Sequence, residues 1–396
     1  MLEAIAYGMG IALRTGATPF VLGARLAGRA RATDYKGVPT ARGGLALASK
    51  IALDEIFFAS EVVSATFVSL RDRRRIAEEV EQAVEFYARW GWLEDPARYH
   101  VAPPRLASVR TRRHRARWFS YQHLRFDSDY EPHAGEPGRA RWLSYDANHT
   151  AHAWVLQHDD RPRPWLICVP GYRMGQPFID LAGFRARWLH RTLGLNVAIM
   201  VMPLHGPRRV GRRGGDGFFS GDFVDTVHAQ AQAVWDVRRL AGWLRDQGAP
   251  AVGAYGVSLG GYTTALLACL EEQLDCVVVG IPAVDFVRLL RSHTPQFLQR
   301  AAERIGFSFE RVEQLLRVVS PLALKPLVPR ERRFLYAGVA DRLASPDHAR
   351  DLWHHWDKPR VTWYQGSHVS YLWEKDVKAL LREAFWTSGM LPRGHS

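Results

Sequence analysis

From about residue 165 onward, short uninterrupted apolar runs alternate with longer stretches whose apolar positions recur at helical spacing. Residues 165–169, 197–202, 252–255, 276–281, 334–337 and 361–364 are runs of the first kind, with the length and composition of strands buried on both faces. The clearest helix lies at 226–247, where Val227, Ala231, Val234, Val237, Ala241 and Leu244 share a face and Gly248 supplies a stop. Alternation of this kind predicts the α/β class, a mostly parallel doubly wound sheet with helices on both sides. Residues 285–329 interrupt the rhythm with extra amphipathic helices. They are too long for a simple connection and are expected to form a helical lid insertion.

The first part of the chain has a different pattern. Residues 1–115 read as a helical N-terminal region, followed by an α/β unit at 116–396. A short apolar segment occupies 2–13, and 51–70 carries apolar residues at 51, 53, 56, 57, 58, 62, 63, 67 and 68, a wide helical face. Arg71, Arg73, Arg74 and Arg75 follow, and then an amphipathic helix at 76–92 with Glu78, Glu79, Glu81 and Glu85 on its polar side. Packing on the neighbouring unit is the expectation for this region, with peripheral contact on a membrane surface as the alternative. Residues 105–117 hold six arginines and His114 without an acid, and read as an exposed linker. Strand-like composition returns at 118–126 and 141–158, on either side of a turn-rich stretch at 131–138.

Composition narrows the function classes. The 396 residues are 47% apolar and carry a formal charge of +13. Such an excess suits anionic partners, yet no zinc-finger spacing or RNP-like motif accompanies it, so no nucleic-acid partner is expected. Only six of the 53 basic residues are lysine, a bias that fits a high-GC bacterial genome. Cys168, Cys269 and Cys276 form no C-x-x-C pair and read as buried thiols in a reducing compartment. No uncharged apolar run reaches membrane-spanning length, and Glu3 precedes any signal-like core. A cytoplasmic protein is the expectation; oligomeric state is not legible.

The chemistry gathers at three loops. Gly256-Val257-Ser258-Leu259-Gly260 has the G-x-S-x-G form of a nucleophile elbow, with a strand read at 251–255 before it and a helix at 261–272 after it. Asp341 ends the run Gly338-Val339-Ala340-Asp341, and His368 ends Gly366-Ser367-His368, each just past a strand. A serine hydroxyl needs a base to take its proton, and the base needs an orienting acid. Ser258, Asp341 and His368 supply these three groups, each just past a strand; their order along the chain is the one the α/β-hydrolase resemblance below implies. Asp285, past the preceding strand, is the rival acid; His354 and His355 share a helix and read as surface residues.

On these motifs the chain resembles the α/β-hydrolase superfamily from roughly residue 118 to 386, in its esterase and prolyl-oligopeptidase-like branches. The resemblance implies an α/β-hydrolase fold and an oxyanion hole built from the backbone N–H groups of Leu259 and Tyr172. Pro170 stands where relatives often have histidine, which blurs the branch more than the mechanism. The loop at 202–222 reaches the same sheet edge, and His205, Phe218 and Phe219 are its candidate substrate contacts, with Arg212 and Arg213 suited either to an anionic group or to pairing with Asp216 and Asp222. A small-molecule ester or acyl substrate is expected, with no cofactor and no metal. Carbon–carbon bond hydrolysis, peptide cleavage and acyl transfer use the same triad; a basic scaffold or membrane-surface module on an unused hydrolase fold is the non-enzyme alternative.

Overall fold

The computed structural model describes residues 35–64, 70–115, 120–304 and 307–391. The apolar segment at 2–13, the last part of the helix read at 51–70 and Trp118 lie outside the described residues. Helices α1 (Leu45–Ser64) and α2 (Leu70–Arg89) come first. A hairpin of β1 (Arg110–Arg115) and β2 (Ser120–Asp127) follows, then α3 (Arg139–Leu143) and β3 (Thr150–Leu156). The alternating part runs β4 (Trp165–Val169), α4 (Pro177–Gly183), β5 (Asn196–Met200), α5 (Phe223–Asp246), β6 (Val252–Val257), α6 (Leu259–Leu267) and β7 (Cys276–Gly280). Three helices, α7 (Phe286–His293), α8 (Gln296–Arg304) and α9 (Phe309–Leu316), precede β8 (Arg333–Gly338), α10 (Pro346–His355), β9 (Arg360–Tyr364) and α11 (Lys375–Thr387).

The nine strands form one sheet in the order β1-β2-β3-β5-β4-β6-β7-β8-β9. The pairings from β1 through β3 to β5 are antiparallel, and every pairing from β5 across β4 to β9 is parallel. Beyond β4 the chain runs outward to β5, then returns past β4 to β6. That reversal leaves a crevice at the carboxyl ends of β4 and β6, where sheets of this kind bind ligands.

Both sheet faces are covered, which is why the strands read as continuous apolar runs. In β4, Ile167 and Val169 face a core shared with α2, α5, α6 and α9, while Leu166 and Cys168 face a second core shared with α4 and α11. On α2 the buried positions are Ile76, Val80, Ala83, Val84 and Tyr87, an apolar stripe laid against α5 and α9. No helix among the described residues is long and apolar enough to cross a membrane.

Three stretches depart from the sequence reading. The stretch read as strand-like at 141–158 begins as a helix, α3 ending at Leu143: Gly138 turns the chain at φ 76°, and Trp142 packs at 2% exposure with its indole N–H donated to Gln232 Oε1 (3.1 Å). The arginine-rich 105–117 stretch is not only linker, since Arg110–Arg115 pairs with β2 as the sheet's outermost strand. The segment 285–329 is divided. Phe309, Val312, Leu315 and Leu316 of α9 are buried against α2 and α5, whereas Phe297 of α8 is 60% exposed.

Candidate active site

The turn after β6 is built by close approach. A Cβ on Gly256 would lie 2.1 Å from Gly260 O, and one on Gly260 would lie 1.9 Å from Val169 O, so both positions require glycine. Between them Ser258 holds φ 56° and ψ −117°, a conformation an L-residue adopts only under constraint. Its N–H donates to Gly280 O (2.9 Å) and its carbonyl accepts from Tyr262 N (3.0 Å), which pins the turn to β7 and α6. Leu259 is the first residue of α6, so its N–H has no acceptor within the helix.

Asp341 and His368, 27 positions apart in sequence, meet at the ends of β8 and β9, where His368 Nδ1 lies 2.7 Å from Asp341 Oδ2. The other carboxylate oxygen accepts from Leu343 N (2.9 Å) and Ala344 N (2.8 Å). Burial, with Asp54 nearby as a like charge, raises the Asp341 carboxyl above its ordinary range although His368 pulls the other way. Burial favours neutral His368, but the Asp341 contact and the Asp54 charge outweigh it and raise the imidazole's pKa. Among the described residues no hydrogen bond joins Ser258 Oγ to His368, a contact that commonly tightens only with substrate bound.

The rival acid is elsewhere. Asp285 caps α7, accepting from Arg288 N (2.9 Å), and pairs with the Arg288 side chain (3.3 Å). His355 contacts Leu324 O (2.7 Å), also away from this cluster.

The loop after β4 closes over the turn. A Cβ on Gly171 would stand 3.3 Å from Val257 O and 3.4 Å from Ser258 Cβ, so this backbone lies directly against the candidate nucleophile. Asp180, at the start of α4, shapes the loop by accepting from Gly175 N and Trp154 Nε1 (both 2.8 Å). Burial lifts its carboxyl to about 7. Tyr172 lies on this loop, its ring edge-on to Phe219 at 5.0 Å and to His205 at 5.9 Å.

The 202–222 loop folds inward. His205 is fully buried, its Nδ1 against Pro203 O (2.9 Å), and burial pulls its pKa down to about 4. Phe218 is fully buried too, while Phe219 is 42% exposed. Phe219 meets Phe286 at 5.4 Å, and Phe286 stacks on Tyr262 at 4.2 Å, so Tyr172, Phe219 and Phe286 form one aromatic wall. The loop's acids are taken by arginines from outside it: Asp216 by Arg173 (2.5 Å), and Asp222 by Arg75 (2.6 Å) and Arg141 (3.1 Å).

Sequence reasoning passed over Asp54, which is fully buried on α1 and bonded to the backbone of both the Asp341 and His368 loops. Its one local signal is an acid set into the apolar stripe of 51–58. Among the described residues no group of three His, Cys, Asp or Glu side chains is arranged to hold a metal ion.

No family profile matches the chain. Two Mycobacterium tuberculosis proteins are similar along most of its length: uncharacterized protein Rv2627c of strain H37Rv and uncharacterized protein MT2702 of strain CDC 1551 are each 42% identical over 365 residues, 90% of this chain and 87% of theirs. Among solved structures, the acetyl xylan esterase from Paenibacillus sp. R4 superposes with a TM-score of 0.51 at 14% identity, over 76% of this chain and 93% of that one. At that identity the likeness speaks for the fold.

Proposed function

The chain belongs to one family with the mycobacterial protein Rv2627c and has the fold of the α/β hydrolases, and on that premise we propose that it is a serine hydrolase of that superfamily cleaving a carboxylic ester. The observation that carries the reading is the buried 2.7 Å contact between His368 Nδ1 and Asp341, at the sheet edge where Ser258 is held at φ 56°. In this mechanism Asp341 fixes the imidazole tautomer, leaving Nε2 to take the Ser258 proton as Oγ attacks the ester carbonyl. The N–H groups of Leu259 and Tyr172 hold the resulting oxyanion. Collapse expels the alcohol, which receives the proton from His368, and water then releases the acid from the acyl-enzyme by the same steps in turn.

The substrate is a small molecule whose acyl or aryl portion lies along Tyr172, Phe219 and Phe286. In this reading the lid is narrower than the whole 285–329 segment: α7 brings Phe286 to the wall and α8 follows it, while α9 is part of the core. His205 and Phe218 support the wall from behind, and Phe219 is the member of the loop able to touch substrate.

The test is a fluorophosphonate probe followed by peptide mapping. Wild-type protein should be labelled at Ser258, and Ser258→Ala should not be labelled. Labelling at another residue, or none on folded wild-type protein, overturns the assignment. Profiling esters of graded acyl length then separates ester cleavage from the peptide, carbon–carbon and acyl-transfer chemistries that share the acyl-enzyme.

A further inference from the structure

The Asp54 carboxylate reaches three backbone N–H groups on two separate loops. Oδ2 accepts from His368 N and from Arg342 N, both at 2.9 Å, and Oδ1 accepts from Val369 N at 3.0 Å. Arg342 directly follows Asp341, so one side chain grips the backbone beside the acid and at the base itself. One turn earlier on α1, Lys50 Nζ donates to Gln365 O (2.9 Å) and pairs with Glu374 (2.6 Å), while Lys50 O accepts from Ser367 Oγ (2.7 Å). The 365–374 loop is therefore held at both ends of a single helical turn.

Docking a helix does not require this. An apolar residue at position 54 would bury surface without the cost of dehydrating a carboxylate, and that cost is offset only because all three N–H groups point at it. Backbone bonds tie the two loops as far as Ala340 and Gly366, with Val339 N donating to Tyr364 O and Ala340 N to Gly366 O (both 3.0 Å); beyond them Asp54 joins the Asp341–His368 contact in setting the spacing. We propose that Asp54 is a positioning residue for the candidate base, holding the two loops in register so that the His368 imidazole faces Ser258. The inference rests on the serine-hydrolase reading for its consequence in catalysis. It makes the N-terminal helix a working part of the site and not a cover over it.

Charge supplies a signature that packing alone would lack. The groups facing His368 are Asp341 and Asp54, with Tyr364 beneath them and Lys50 and Glu374 neutralising each other nearby. Removing the Asp54 charge while keeping its shape lowers the affinity of the imidazole for a proton.

Asp54→Asn and Asp54→Leu test this in the full chain. Both should fold, as judged by circular dichroism, and both should label at Ser258 roughly 10–100-fold more slowly than wild type, the order of loss expected from about 1 Å of misplacement. In Asp54→Asn the His368 ring, followed by NMR and assigned with His368→Gln, should titrate at lower pH than in wild type. Wild-type labelling rates together with an unchanged midpoint overturn the proposal. If wild-type protein takes no label but the midpoint still falls in Asp54→Asn, the positioning role stands and the hydrolase reading fails. Should neither variant fold, amide exchange on wild-type protein decides: the N–H groups of Arg342, His368 and Val369 should share one slow rate, and free exchange at any of them overturns the clamp.

Discussion

Ser258, Asp341 and His368 each follow a strand within a few residues, so their place at one sheet edge is legible from local spacing, and the family resemblance adds their candidate roles. Asp54 works differently: its partners are backbone N–H groups, identical at every residue, and nothing in the spacing of the chain marks which loops will present them. Replacing Asp341 by Asn should lower kcat by about 10⁴ through the wrong histidine tautomer. Asp285→Asn keeps a helix-capping oxygen and should change stability by less than about 1 kcal/mol and the rate little, read by paired kinetics and urea melts. A reversed ranking would transfer the acid to Asp285. Asp180 gives a stability prediction. Its carboxyl, near 4 when unfolded, rises to about 7 in the fold because burial disfavours the charge. The folded state therefore holds a proton the unfolded state releases, and the contribution is full below about pH 4 and lost as pH rises through about 7. Urea unfolding of wild type minus Asp180→Asn should slope downward by up to about 1.4 kcal/mol per pH unit across that window. A flat difference would mean that the carboxyl is hydrated.

At the scale of elements, the runs from β4 to β9 are legible because strands covered on both faces must be apolar throughout. Residues 139–143 were not, since Trp142 has strand-like composition and its helix depends on Gly138 before it and Gln232 on distant α5. The amphipathic pattern at 285–329 likewise cannot say which partner each apolar face meets, so α7, α8 and α9 look alike in sequence and differ in the fold. Leu315, fully buried on α9, should cost about 2–5 kcal/mol when cut to alanine. Phe297→Ala on α8 should stay within about 0.5 kcal/mol, being 60% exposed, yet raise KM for long acyl chains over acetyl esters. Denaturant melts and ester profiling of the two variants separate core from cover; an unaltered chain-length preference in Phe297→Ala would remove α8 from the substrate's path.

For the whole molecule, the alternation of runs announces a doubly wound sheet, but the strand order depends on crossings that no local pattern records. Nor does the overall charge of +13 reveal where its arginines go. Arg75, one of four in a cluster that suggested a membrane surface, turns inward to Glu79 (2.9 Å) and Asp222 (2.6 Å). Purified protein should accordingly stay in the supernatant with anionic liposomes at physiological salt; salt-sensitive co-sedimentation abolished by changing Arg71, Arg73, Arg74 and Arg75 to Gln would favour an interfacial helix instead. The outermost strand carries a last consequence. Among the described residues β1 is paired on one side alone, and its other side presents a row of backbone donors and acceptors of the kind that templates pairing between copies. Arg110, Arg112, Arg113 and Arg115 stand along it, all exposed, the first two on one face and the last two on the other. Two such strands brought side by side would set like charges against one another, so the arginines that read as a loose linker oppose pairing at this edge of the sheet.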